Sequence, residues 1–292
     1  MFRPVERYAD IASVAASGIG TADLPVAGTY YAVFLQCLDG GAAVSVANII
    51  ADITNVKLTL DGTTMYEANA AAIFDLWTQK YAKFGAAAAP GMLPIILCPD
   101  YFDLSREAGF LAWGMQNIKS FQLELTFGAD VATSAHIDQV RVFVERSPVN
   151  VPLGEHYRLL KFARNFPSSG IQEVTELPTE GGAGVATLAW HWQYDGSAAV
   201  INNVEAIINN QVVFNCPPLV FETVMNKSGW EQMVTGAAND LFTVPFALSN
   251  DPMGFLPHAS LNDLRFRLDW SAAPDAHTLF RESMHGIGNA NR

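Results

Sequence analysis

Six histidines, three cysteines and a few acidic clusters are the residues of this 292-residue chain whose types could do chemistry. His136, His156, His191, His258, His277 and His285 include no His-x-x-x-His pair, and Cys37, Cys98 and Cys216 form no Cys-x-x-Cys, so a zinc site has no local signature. His191, between Trp190 and Trp192, reads as a packed structural histidine. A Gly-x-Ser-x-Gly elbow and a phosphate-binding Gly-x-x-x-x-Gly-Lys-Ser/Thr loop are both absent. Gly182-Ala183-Gly184-Val185-Ala186-Thr187 starts like a dinucleotide loop but has Thr at the third glycine and precedes a strand pattern. Asp100, Asp103 and Glu107 could hold a structural cation such as calcium, although a solvated loop is the plainer expectation and no cofactor is expected. Asn226-Lys227-Ser228 fits the glycosylation triplet, a frequent accident. The chemistry-bearing residues therefore argue against an enzyme.

Two basic, aromatic-flanked segments suggest surface contact instead. Arg158, Lys161 and Arg164, with Phe166 close by, fall three apart and would share one side of a helical turn. They could meet anionic lipid headgroups or a neighbouring subunit, or serve as an ordinary amphipathic connector. Arg3 and Arg7 beside Phe2 and Tyr8 pose the same choice, and Phe2, Val5, Tyr8 and Ile11 recur at helical spacing. Residues 1–16 are expected to form an arm outside the folded unit, at an inner, lipid-facing surface.

Composition narrows the class further. Half the residues are apolar, 11% are aromatic and only 16% are charged, so a large core is available and much of the surface is expected to be covered by other copies of the chain. The net charge of −12 is split evenly, −6 in residues 1–147 and −6 in residues 148–292, which argues against direct nucleic-acid binding and against an electrostatic module. Three widely spaced cysteines do not make a disulfide framework. No apolar leader is expected at the start, and the longest uncharged runs, 84–99 and 206–221, are too short and proline-broken for a spanning helix.

The elements that must position these residues are mostly strands. Apolar alternation marks 30–35, 56–60, 121–125, 140–144, 185–192, 204–208, 212–214 and 264–268. Asp61-Gly62 and Asn209-Asn210 suit hairpin turns that need positive φ. A helix is predicted over 66–84, with Ile73, Trp77, Tyr81 and Phe84 on its apolar stripe, and one or two inserted helices are expected in all. An internal repeat organises the rest. Ile19 and Pro25 return as Ile171 and Pro178, and Val56 and Gly62 return as Val204 and Asn210. Phe121–Leu125 returns as Leu264–Leu268, and Ala135-His136 as Ala276-His277. Four matches in the same order imply two copies of one β unit of about 145 residues. The expected fold is all-β, a double jelly roll of two eight-stranded units in tandem. Its parts are an arm over 1–16, a first roll over 17–147, a connector over 148–168 and a second roll over 169–292. Three chains would then present six similar rolls, a shape that tiles a hexagonal lattice.

Arg164-Asn165-Phe166, Gly170–Val174 and Leu177-Pro178 resemble the segment between the rolls of corticovirus major capsid proteins. Leu24-Pro25, Thr29-Tyr30 and Ile53–Gly62 resemble their first roll. These are coat proteins of tailless marine bacteriophages with an internal membrane. The resemblance implies a structural protein that forms homotrimers and then an icosahedral lattice around a membrane. It further implies a place in the virion shell after synthesis in the host cytoplasm, with penton and membrane proteins as partners. A phage spike or carbohydrate-binding β-sandwich protein is the alternative. A cupin-type enzyme would need clustered histidine ligands, which the sequence lacks.

Overall fold

The computed structural model describes residues 3–80, 90–99, 111–164, 166, 168–175, 177–178, 184–194, 199–227, 240–246, 256–274 and 277–286. Phe2, Tyr81, Phe84, Asp100, Asp103, Glu107 and Ser228 lie outside these residues. The chain divides into two compact units, residues 1–77 with 83–160, and residues 78–82 with 161–292.

The first unit holds β1 (Val5–Asp10), β2 (Ile19–Asp23), β3 (Thr29–Asp39), β4 (Ala42–Ala43), β5 (Ile53–Leu60), β6 (Thr63–Ala68), β7 (Met92–Ile96), β8 (Trp113–Gly114), β9 (Phe121–Phe127) and β10 (Gln139–Ser147), with helices α1 (Val46–Asp52) and α2 (Ala70–Lys80). One sheet runs β1-β10-β3, with β4, β7 and β8 also paired to β3; the other runs β2-β9-β5-β6. The second roll repeats the plan with β11 (His156–Arg164), β12 (Gly170–Val174), β13 (Val185–Tyr194), β14 (Ile201–Ile208), β15 (Gln211–Cys216), α3 (Pro218–Lys227), β16 (Asp240–Pro245), β17 (Leu256–Pro257), β18 (Leu264–Trp270) and β19 (His277–His285). Its sheets run β11-β19-β13, with β16 and β17 paired to β13, and β12-β18-β14-β15. Each set of two sheets is the strand order of an eight-stranded jelly roll.

The two copies agree residue by residue. Val56 faces Leu125 on one side and Ala68 on the other; Val204 faces Leu268 and Cys216. The register slips between Ile53 and Asn55 in one copy and between Ile201 and Asn203 in the other. The hairpins slip alike, after Leu58 and after Ala206. Asp61 and Gly62 both have positive φ, as do Asn209 and Asn210. The Asp61 carboxylate accepts the backbone N–H of Lys119 and of Ser120, each at 2.8 Å. The Asn209 side-chain oxygen accepts the N–H of Asn262 at 2.8 Å and of Asp263 at 3.2 Å. Even the prolines match in role. The carbonyl of Pro25 accepts the Tyr30 hydroxyl at 2.7 Å, and that of Pro178 accepts an Arg281 guanidinium N–H.

The core of each unit is aromatic. In the first, Tyr30 meets Phe121 edge to face at 5.0 Å. In the second, Trp192 meets Phe266 at 4.8 Å and Tyr194 meets Trp270 at 5.1 Å in the same geometry. Such pairs add about 0.5–1.5 kcal/mol to what their buried area supplies.

Three readings are corrected. Residues 1–16 are not wholly an arm outside the roll, because β1 lies antiparallel to β10 from Val5↔Glu145 to Asp10↔Arg141. An isolated six-residue helix gains almost nothing in water, whereas the same residues beside β10 complete a ladder. The connector, drawn over 148–168, contains β11, the counterpart of β1 and the first strand of the second roll. The helix begins at Ala70 rather than Tyr66, because 63–68 is β6 and Asn69 caps the helix, its side-chain oxygen accepting the Ala72 N–H at 2.7 Å. On α2, Ile73 is buried and Trp77 partly buried, its indole N–H donating to the Pro94 carbonyl at 3.1 Å. Helices α1 and α3 bring the total to three among the described residues.

The turns generate a prediction. The amides of Lys119 and Ser120 hold the Asp61 carboxyl below the usual carboxylate range. Its contribution is therefore full above that range and is lost as pH falls through the lowered value. The urea midpoint of Asp61→Asn, which copies Asn209, should fall less than that of wild type between pH 6 and pH 3. Asn209→Ala removes the acceptor and leaves at positive φ a residue that tolerates that region less well than asparagine, and should cost about 1–2 kcal/mol in the same measurement.

Candidate assembly surfaces

The N-terminal basic residues are engaged within the chain. The Arg3 guanidinium sits 3.9 Å over the Tyr31 ring, and Arg7 pairs with Asp10 at 2.7 Å. Glu6 pairs with Arg146 at 2.6 Å. Beside the exposed Glu6, Arg7 and Asp10, β1 also exposes two apolar side chains, Val5 at 58% and Tyr8.

The connector residues do not form one basic side. In a strand, Arg158 and Arg164 share one face and Lys161 takes the other. The His156 Nδ1–H donates to the Gly154 carbonyl at 2.8 Å, which leaves Nε2 to accept Arg158 Nε–H at 3.1 Å. Burial pushes His156 down to about 4, so the ring is neutral and suited to this acceptor role. Phe166 is core, stacked on His277 at 4.3 Å. His191 is fully buried, its Nδ1 at 2.7 Å from the Thr243 hydroxyl, as a structural histidine should be.

The surfaces that sequence reasoning missed are apolar ones on the second unit. Val212 and Val213 on β15, and Leu219, Val220 and Val224 on α3, are exposed. On α2, the equivalent helix of the first unit, Ala70, Ala71, Ala72, Ile73, Phe74 and Leu76 are all buried. The repeat markers Ile19 and Ile171 are exposed at matching positions of β2 and β12. An alternating pattern marks these positions as strand but not as surface, since valine and isoleucine suit either face.

Among the described residues no group of three or more His, Cys, Asp or Glu is placed to hold a metal ion. Nor, among them, is any helix long and apolar enough to cross a membrane.

Comparison with known proteins gives this arrangement its context. Residues 5–145 match the family described as viral coat protein P2 N-terminal domain. That match covers the first roll, and the fold of the whole chain is the double jelly roll of viral capsid proteins. The fold is that of the major capsid protein P2 of bacteriophage PM2, with a TM-score of 0.78 at 18% identity over 97% of each chain. It is also that of the capsid protein of Sulfolobus turreted icosahedral virus, with a TM-score of 0.73 at 13% identity over 99% of this chain and 92% of that one. The capsid protein of PBCV-1 follows at 0.55 and 12%, over 98% and 95%. No curated protein sequence matches the chain. The coat-protein family match begins at Val5, the first residue of β1, in keeping with that strand being part of the roll.

Before β10 the first roll carries a buried polar anchor. Asp52, at the end of α1, is fully buried. Its carboxylate accepts the Ile137 N–H at 2.8 Å and the His136 Nδ1–H at 2.6 Å. The hydrogen bond to Asp52 raises the His136 pKa above the usual histidine value. The stabilisation is therefore full below that usual value and is lost as pH rises through the raised one. The urea midpoint of wild type should fall across this interval, while that of His136→Gln should stay level. Asp52→Ala strands the Ile137 N–H and should cost about 1–3 kcal/mol above this interval, where His136 no longer contributes, and more below it.

Proposed function

We propose that the chain is the major capsid protein of a tailless icosahedral phage, assembling as homotrimers that tile a shell around an internal membrane. The observation that carries this reading is the residue-level repeat. A chain made of two equivalent rolls gives a trimer six similar edges, which suits a hexagonal lattice. The low charge of 16% and the exposed valines of β15 and α3 support obligate association, since interfaces of this kind are apolar and large. The penton and membrane proteins that the family resemblance implies would meet this lattice at its vertices and inner side. The role in assembly is burial of apolar surface between copies, without catalysis.

Purified protein should sediment as a trimer and give closed shells in electron micrographs of infected-cell lysate. The spike alternative predicts free trimers that retain an immobilised glycan and never form shells. Finding that behaviour would replace the coat reading.

A further inference from the structure

The loop between β9 and β10 is held in a conformation that its own residues resist. Ala132 and Ala135 have φ of 65° and 68°, in the left-handed region, where an alanine Cβ crowds the following carbonyl. Glycine or asparagine would take such positions at little cost, and neither stands at 132 or 135. The loop folds on itself through the Ala132 N–H, which donates to the Ile137 carbonyl at 2.9 Å, and the His136 N–H, which donates to the Thr133 carbonyl at 3.1 Å. Three side chains on other elements fasten it to the roll. Asp39 of β3 accepts the Ala135 N–H at 2.8 Å, and Asn48 of α1 donates to the Ala135 carbonyl at 2.7 Å. Asp52, at the end of α1, accepts the Ile137 N–H and the His136 Nδ1–H. Val131 and Ile137 are buried within the fastened loop.

One of these fasteners changes charge near neutral pH. The His136 side chain is 22% exposed, so solvent can reach its proton, whereas the Asp52 carboxylate is fully buried. The groups that act on the ring are acidic: Asp52 through the hydrogen bond and its charge, then Asp130 of the loop itself and Asp39 of β3 through charge. The Cys37 thiol of β3, which feels the Asp52 charge, is pushed up by burial to about 12 and stays neutral while histidine titrates. The Asp138 carboxylate is engaged elsewhere, accepting the Gly40 N–H at 2.9 Å.

We propose that the β9–β10 loop is a pH-operated clasp, fastened to α1 while His136 carries its proton and opened by its own backbone strain once that proton is lost, with the rest of the first roll intact. Without the proton, the contact to Asp52 is a hydrogen bond from a neutral ring, roughly half as strong as the charged one. The balance then moves toward the open loop, which bares Val131 and Ile137. The clasp goes beyond the coat reading and does not depend on it, since every residue involved lies in the first unit and one chain is enough to test it.

The test is native-state amide hydrogen exchange of the full chain at pH 6 and pH 8.5, corrected for the intrinsic rate at each pH. Protection of the Ala132, Ala135 and Ile137 amides should fall together by about three- to tenfold at the higher pH, the share of one charge-assisted bond. Their exchange at pH 8.5 should be insensitive to low urea, as a local opening is, while amides of the β5–β9 ladder should exchange faster as urea is added. His136→Gln should give the lower protection at both pH values. Ala132→Gly with Ala135→Gly, which relieves the positive-φ strain, should raise the protection of Ile137 at pH 8.5. Equal wild-type protection at the two pH values, an equal fall in His136→Gln, or clasp amides that share the urea dependence of the ladder would overturn the clasp. No gain from the glycine pair would overturn strain as its driving force, and the proposal with it.

Discussion

The antiparallel ladder of β5 with β9 in the first roll, and of β14 with β18 in the second, is the constraint on which the other elements depend. It sets the register of its sheet because β9 and β18 carry the edge strands β2 and β12 on their far sides. One side-chain oxygen, from Asp61 or Asn209, takes two backbone amides at the foot of that ladder and stops it from slipping. A slip of one residue would turn Val56, Leu58 and Leu60 outward together. Two bulges at matching places then adjust each strand's twist without changing which residues face the core.

The copies have diverged while keeping this ladder. Lys57 faces Glu124 in the first roll, and Glu205 faces Arg267 in the second, with 3.5 Å between Arg267 and Glu205. The signs are exchanged and the attraction is kept. Such a pair is worth roughly 0.2–1 kcal/mol relative to neutral partners. Arg267 also reaches Glu173, as does Arg265, so the outer face of the second roll carries a small ion-pair network. Residue identity between the rolls is low at these sites, yet the cross-strand relation is preserved.

This explains what could be read from the sequence and what could not. Hairpins at Asp61-Gly62 and Asn209-Asn210 were legible because positive φ is a local demand that few residues meet. The repeat was legible because its markers sit at those same turns and ladders. β1 was misread because a bulge between Arg7 and Ala9 breaks the two-residue alternation and leaves an accidental spacing of three. α3 was missed because Pro217-Pro218 looks like a stop, whereas proline in the first turn of a helix is favourable. Its valines and Thr223 also favour strand on propensity alone. That β1 and β15 each pair with a single strand among the described residues could not be read at all, since pairing is a property of neighbours and not of composition.

The position of β1 also has a consequence in time. Val5 pairs with Glu145, so the first strand made is held by the last strand of its roll. Until some 140 residues have been synthesised, the N-terminal segment has no ladder to join, and closing so long a loop belongs to the slow end of folding. An incomplete chain cannot dock β1 and so cannot display its outer edge in a fixed register. Completion of the roll therefore sets the moment at which β1 can join its ladder.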